Sequence, residues 1–239
     1  MIDAADSRTM NFCLGCRRRL ATCVCALIRP FETESRFVIL MHPKEFRKEK
    51  VGTGRFTHLI LENSEILVGI GFDEDPRFEA ILSDPAYETA VLYPGPSSID
   101  LSETRNAARL ATKRLQFIVI DGTWACAKKM MRQTTKLHDL QRVSFATQRT
   151  SEFLVKQQPK AECLSTVESV HQVVIDLNLL GIEETGGQEE NLMDVFRYTV
   201  QQQIAFAADT HRQSYRKGRY KLPSERKVSK GRGSLVFLK

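Results

Sequence analysis

The chain has 239 residues, 42% of them hydrophobic and 27% charged, ordinary globular composition for a protein that buries one large core without covalent staples. No apolar run approaches the roughly 18 residues that a membrane-spanning helix needs, and the polar first ten residues lack the basic-then-apolar order of a secretory signal, so a cytoplasmic location with no membrane partner is expected. The net charge of +6 is uneven: residues 211–239 hold ten Lys or Arg against one acid, Glu225, a net +9, leaving −3 for the rest.

In chain order the cysteines come first. Four of the six fall within thirteen residues, Cys13, Cys16, Cys23 and Cys25, as C-x-x-C, a short loop, then C-x-C. Two close-spaced pairs supply two edges of the tetrahedron that a structural zinc requires, and a reducing compartment argues against two disulfides. Free structural thiols are the alternative. Cys126 and Cys163 stand alone and are read as small apolar residues.

Beyond Arg29-Pro30, strand and helix signals alternate. Residues 37–41 form a short apolar run, a buried strand stopped by a loop at His42-Pro43. The pattern then predicts a helix over 53–61, a strand over 65–70, a short helix over 76–82 and a strand over 89–93 ending at Pro94-Gly95-Pro96. A helix over 101–115 precedes the strongest strand, 117–120. A helix over 124–133, a strand over 143–145 and amphipathic helices over 165–179 and 192–208 complete the series, with 181–190 read as an acidic surface loop. Continuous apolar strands alternating with helices imply an α/β fold, a mostly parallel sheet with helices on both faces. The expected organisation is a Cys-rich zinc-binding module over 1–30, an α/β domain over 31–210 and a basic tail over 211–239.

Ligands of such sheets bind beyond the carboxyl ends of the strands. That directs attention to the loops starting at His42, Gly69, Tyr93 and Asp121. Asp121-Gly122-Thr123-Trp124 follows the strongest strand: an acid that can accept a proton, a glycine that lets a ligand approach, a helix-capping Thr and the only Trp, a stacking face for a planar base. A capped turn with a core Trp is an equally compatible reading. Leu164-Ser165-Thr166-Val167-Glu168 reads as a capping box whose free N–H groups also suit an anion. Gly52-Thr53-Gly54-Arg55 is neither a P-loop nor a dinucleotide fingerprint; Arg55 suits a carboxylate or phosphate, and His42 with Glu45 forms a candidate pair after the first strand, for which a surface turn is the equal alternative. The hydrolase G-x-S-x-G, the metalloprotease H-E-x-x-H and the kinase set are absent. The basic tail, interleaved with Tyr215 and Tyr220, and the cluster Arg17-Arg18-Arg19 fit polyanion contact; a solvated terminus is the alternative for the tail.

In this order the cysteine cluster, His42-Pro43-x-Glu45, Thr53-x-Arg55, Leu92-Tyr93-Pro94-Gly95, Asp121-Gly122-Thr123-Trp124 and Leu164-Ser165-Thr166-x-Glu168 resemble the DTW-domain family over about residues 13–204. The resemblance implies a SPOUT-like, knotted fold and a tRNA-uridine aminocarboxypropyltransferase using S-adenosylmethionine, with tRNA as partner and no obligate protein partner. It implies catalytic roles for Asp121, Thr123 and Trp124. Tyr93, Pro94, Gly95, Asp121, Leu164, Ser165 and Thr166 would hold the cofactor, His42, Arg55 and Lys156 the substrate, and the four cysteines zinc. Two departures from the family pattern stand out. Arg18-Arg19 occupies the place of an Arg-Pro, and 153–159 reads Phe-Leu-Val-Lys-Gln-Gln-Pro where the family often has Tyr-x-Ile-Arg-Lys-x-Pro. An RNA methyltransferase using the same cofactor and a non-catalytic zinc-ribbon RNA-binding protein are the competing readings.

Overall fold

A computed structural model describes residues 11–48, 52–110, 113–146, 149–155 and 163–208. The basic tail and Lys156 lie outside these residues. Six strands form one sheet in the order β2-β1-β5-β3-β6-β4: β1 Arg36–Met41, β2 Ser64–Val68, β3 Tyr87–Leu92, β4 Ile99–Asp100, β5 Arg114–Asp121 and β6 Gln141–Ser144. Every pairing within it is parallel.

The apolar runs of β1 and β5 are continuous because both faces of the sheet are covered. Successive residues alternate between two cores. Phe37, Ala90, Phe117 and Val119 face one core with α2 (Thr53–Ile60), α6 (Thr166–Leu179) and α7 (Glu190–Ala208). Val38, Leu40, Val91 and Ile118 face the other, with Phe78 and Ile81 of α3 (Pro76–Leu82) and Met130 and Met131 of α5 (Trp124–Gln133). The expected α/β architecture, a parallel sheet with helices on both faces, is thus observed. No helix among the described residues is long and apolar enough to cross a membrane.

Three local expectations change. The loop at His42-Pro43 is one residue long, and Pro43 opens a short helix, α1 (Pro43–Lys48). The His42 ring Nδ1 accepts the Lys44 N–H at 3.1 Å, so the imidazole caps that helix. Among the described residues, the helix expected over 101–115 is represented by a 3₁₀ turn at Thr104–Asn106 and α4 (Ala107–Leu110). Its start is lost because the Asp100 carboxylate binds the Ser102 N–H, the Ser102 hydroxyl and the Ala146 N–H, turning the chain there. Its end is lost because Arg114 and Leu115 already pair with Tyr87 and Glu88 in the sheet.

The acidic segment 181–190 is more than a surface loop, since Glu183 and Thr185 are buried. Gly181, Gly186 and Gly187 take positive φ values of 71°, 61° and 86°, which a side chain would resist. The turn they make carries the Glu183 carboxylate to two backbone donors at the entrance to β1, Glu34 N at 2.9 Å and Ser35 N at 2.6 Å. The N–H of buried Ser35 would otherwise be left unpaired beside the core. Glu183→Ala should therefore cost about 2–3 kcal/mol, as expected for a charged acceptor serving two donors. A fall of roughly 5–10 °C in the thermal midpoint, read by calorimetry, corresponds to that loss in a chain of this size; an unchanged midpoint would show that the two bonds add nothing to stability.

Candidate active site

Three adjacent strands, β5, β3 and β6, end on the same edge, and a cavity of about 570 Å³ opens above them. That size suits a nucleoside-sized ligand. Its wall is built from the chain leaving each strand: Tyr93 and Pro94 after β3, Gly122 to Ala125 after β5, and Phe145 after β6. The start of α6, Leu164 to Thr166, closes it from above, and Glu45 and Thr53 complete the rim.

Asp121 forms part of the wall. It is the last residue of β5, not the first of a loop, and it pairs with Met41 in the ladder. Its carbonyl accepts the His42 N–H at 2.9 Å, which pins the backbone. Its carboxylate is buried. Thr166 donates its hydroxyl to Asp121 Oδ1 at 2.5 Å, across 45 residues of sequence. The other oxygen faces Gly54, where a Cβ would sit 2.7 Å from Asp121 Oδ2 and 2.8 Å from Cγ. Any larger residue there would displace the carboxylate, so Gly54 is glycine for space.

Thr123 and Trp124 divide as their chemistry suggests. The Thr123 hydroxyl accepts the Cys126 N–H at 3.3 Å and caps α5. Trp124 is half-buried and lines the cavity. Opposite them, Ser165 and Glu168 form the expected capping box. Glu168 also reaches further than a cap. Its carboxylate accepts the Ser165 N–H at 2.7 Å, the Ser165 hydroxyl at 2.5 Å, the Ser151 hydroxyl at 2.9 Å and the Glu152 N–H at 2.7 Å. The segment 151–153 is thereby sewn to the start of α6, which places Phe153 in the cavity wall.

Of the other residues singled out in the sequence, Gly95 lies outside the cavity and gives room to Arg142, whose guanidinium sits 5.8 Å from the Tyr93 ring centroid. His42 lies beneath Asp121 with its ring turned to the start of α1; burial, with Lys44 and Lys129 nearby, pushes its pKa below the usual imidazole range. Arg55 donates to the Phe46 carbonyl at 3.2 Å. Burial and the Arg17 cation lower its pKa, opposed by the Asp121 carboxylate, so Arg55 lies within electrostatic reach of the site. The loop from Gly69 folds onto Phe72, away from the cavity, because β2 is an edge strand. The chain after β6 takes its place. Phe145, Phe153, Cys163 and Ser169 also line the cavity; only the position of Phe145 at a strand end carries a sequence signal for this.

The four N-terminal cysteines converge. Their sulfur atoms all lie within 4.8 Å of one another, with Cys13 Sγ 3.5 Å from Cys25 Sγ and Cys16 Sγ 3.8 Å from Cys23 Sγ. A tetrahedral zinc with bonds of about 2.3 Å separates its sulfurs by about 3.8 Å, so the four thiols fit that ion, and none is in a disulfide. The Cys16 N–H, followed by the Cys25 thiol, lowers the Cys13 pKa to about 6. Cys16 and Val24 are buried in the main core beside Phe31 and Phe56. Arg18 fastens the segment further, donating to the Thr22 carbonyl at 2.7 Å and to Gln202 Oε1 of α7 at 2.9 Å.

The chain is 33% identical over 178 residues to tRNA-uridine aminocarboxypropyltransferase 2 of Drosophila melanogaster, covering 72% of this chain and 68% of the relative. The proteins of the same name in Macaca fascicularis and Mus musculus are each 28% identical over 65% of this chain, which spans about half of their length. No solved structure gives a significant match. The sequence pattern of the DTW domain matches residues 10–204, the span that contains the sheet, the cavity and the cysteine cluster, and on that match the chain belongs to the DTW-domain family.

Proposed function

We propose that this protein transfers the 3-amino-3-carboxypropyl group of S-adenosylmethionine to N3 of a uridine in tRNA, releasing methylthioadenosine. The observation that carries the reading is Asp121, a buried carboxylate fixed by Thr166 in the wall of a cavity large enough for a nucleoside. Relatives that carry this activity in their names cover most of the chain. The knotted cradle of the SPOUT-like enzymes forms part of the same proposal.

The co-substrate supplies an electrophilic carbon at its sulfonium; the N3–carbon bond forms as the carbon–sulfur bond breaks, and the N3 proton leaves to a base. Asp121 is that base. Tyr93, Pro94, Leu164, Ser165 and Thr166 form the bed of the co-substrate, and Trp124 offers its ring to adenine or uracil. Choice of the aminocarboxypropyl arm over the methyl is then a matter of which carbon the walls aim at N3, and alignment of this kind supplies much of an enzyme's rate. Thr123 acts by setting the start of α5. Gly95 and His42 support the loops around the bed, and Arg55 and Lys156 serve the RNA. Cys13, Cys16, Cys23 and Cys25 hold a structural zinc with no open position. Residues 1–30, 31–210 and 211–239 are assigned as zinc-binding segment, catalytic domain and basic tail, in a cytoplasmic enzyme.

One incubation tests the reaction: tRNA with S-adenosylmethionine labelled in its carboxyl group, followed by nucleoside mass spectrometry. Label in RNA with an aminocarboxypropyl adduct is expected. A methylated nucleoside would instead assign methyl transfer, and tRNA binding without any product would assign a non-catalytic role. Asp121→Asn should lower the transfer rate by about 10²–10⁴, the usual worth of a general base. Thr166→Val, which removes the 2.5 Å bond to that base while keeping the side chain's shape, should lower it about tenfold, equivalent to about 1.4 kcal/mol. Full activity in Asp121→Asn would remove it from the mechanism.

The metal assignment is checked separately. The purified chain should contain about one zinc ion, measured by elemental analysis, and Cys16→Ser should lose it. Because Cys16 is buried in the main core, that variant should also melt at a lower temperature. Retention of zinc would exclude the four-cysteine site.

A further inference from the structure

Arg17 follows Cys16 with a φ of 56°, the only positive φ of a non-glycine among the described residues. A side chain is disfavoured in that left-handed conformation, where glycine is at ease. The turn is fixed by the cysteine segment itself, with Cys13 N bonded to the Arg18 carbonyl and Arg17 N to the Cys13 carbonyl. What the strained position delivers is a guanidinium over Phe46, 4.7 Å from the ring centroid. Arg55, from α2, lies over the same ring at 5.2 Å.

Two cations share one aromatic ring, and neither has a carboxylate ion-pair partner among the described residues. Their mutual repulsion is partly offset by the ring's negative face and, at Arg55, by the more distant Asp121 carboxylate, which makes no ion pair with it. Such a pair is set for an anion that arrives from outside. Its place narrows the identity of that anion. Neither arginine lines the cavity, yet Arg55 directly follows Gly54, which touches Asp121. An anion held there is joined to the ligand in the cavity without sharing it, as a phosphate of a polynucleotide is joined to its base.

We propose that Arg17 and Arg55, seated on Phe46, grip the phosphodiester backbone next to the nucleotide presented to Asp121, so that the cysteine cluster serves the active site by holding Arg17 in place. This rests on the tRNA reading above and adds to it a phosphate subsite and a task for the metal segment. The carboxylate of S-adenosylmethionine is the other anion at hand, and the test separates the two.

The test uses the zinc-loaded full chain and unmodified tRNA transcript. Arg17→Gly relieves the backbone strain, so its zinc content should equal the parent's and its thermal midpoint should equal or exceed it. Its affinity for tRNA should nevertheless fall about tenfold, and the slope of log affinity against log salt should shrink by about one, the loss of one phosphate contact. The KM for S-adenosylmethionine should stay unchanged. Arg17→Lys should fall between the two proteins, since it keeps charge but loses the planar fork. Unchanged tRNA affinity and salt slope in Arg17→Gly would overturn the proposal. So would a defect confined to the KM for S-adenosylmethionine, which would give the pair to the carboxylate, or a loss of zinc and thermal stability, which would make Arg17 scaffolding. Failure of the parent protein itself to bind tRNA would instead defeat the functional reading on which this one stands.

Discussion

Burying a carboxylate is costly unless its oxygens find donors, and Asp121 is held at 4% exposure at the end of a central strand. The Thr166 hydroxyl answers that cost at one oxygen. Because Thr166 is the first residue of α6, the bond fixes a distance between the sheet edge and a helix start 45 residues later. The cavity exists in the space this fixed distance leaves. On the opposite side, Gly54 sets how near α2 can come. A carboxylate restrained from two sides keeps one direction and one set of neighbours.

The start of α6 is itself held by Glu168. A helix capping box needs that side chain to return to one N–H. Here its two oxygens serve four donors, two from Ser165 and one each from Ser151 and Glu152. Glu152 in turn accepts Arg197 of α7 at 2.8 Å and 3.0 Å, and Arg197 also reaches Glu190 at the start of that helix. The chain thus runs from α7 through 151–153 to the start of α6 and on to Asp121 by hydrogen bonds alone. A sequence motif that looks like a local cap also ties residues 151–152 to the start of α6.

Continuous apolar runs alternating with helix-period segments made the sheet legible, because strands buried on both faces stay apolar throughout. The strand-end rule then led to Asp121 and Tyr93. It misled at Gly69, since the rule does not say which strands lie at the edge, and strand order depends on contacts far apart in sequence. The helix expected over 101–115 failed for a related reason: residues 114 and 115 have helical character by composition but join a ladder with β3 that no local window contains. Glu168 was legible as a cap and illegible as a joint. Phe153 and Cys163 reach the cavity only through tertiary placement and carry no local signal. The four cysteines were legible from spacing, whereas the strain at Arg17 required a backbone angle.

Helix α2 shows how so weak a motif as Gly52-Thr53-Gly54-Arg55 comes to be so densely used. In a helix each residue turns about 100° from the last, so four successive residues point nearly all the way round. Thr53 faces the cavity and Gly54 meets Asp121. Arg55 lies over Phe46, and Phe56 enters the core, where Arg18 approaches within 5.9 Å of its ring centroid. A face-by-face reading of these residues finds no amphipathic logic in Thr-Gly-Arg, because the helix is not simply divided between core and solvent. It has several different neighbours: the cavity, the Asp121 carboxylate, Phe46 and the cysteine segment. The cysteine cluster and Asp121 therefore meet through one turn of one helix, and a shift of that turn would be felt at both.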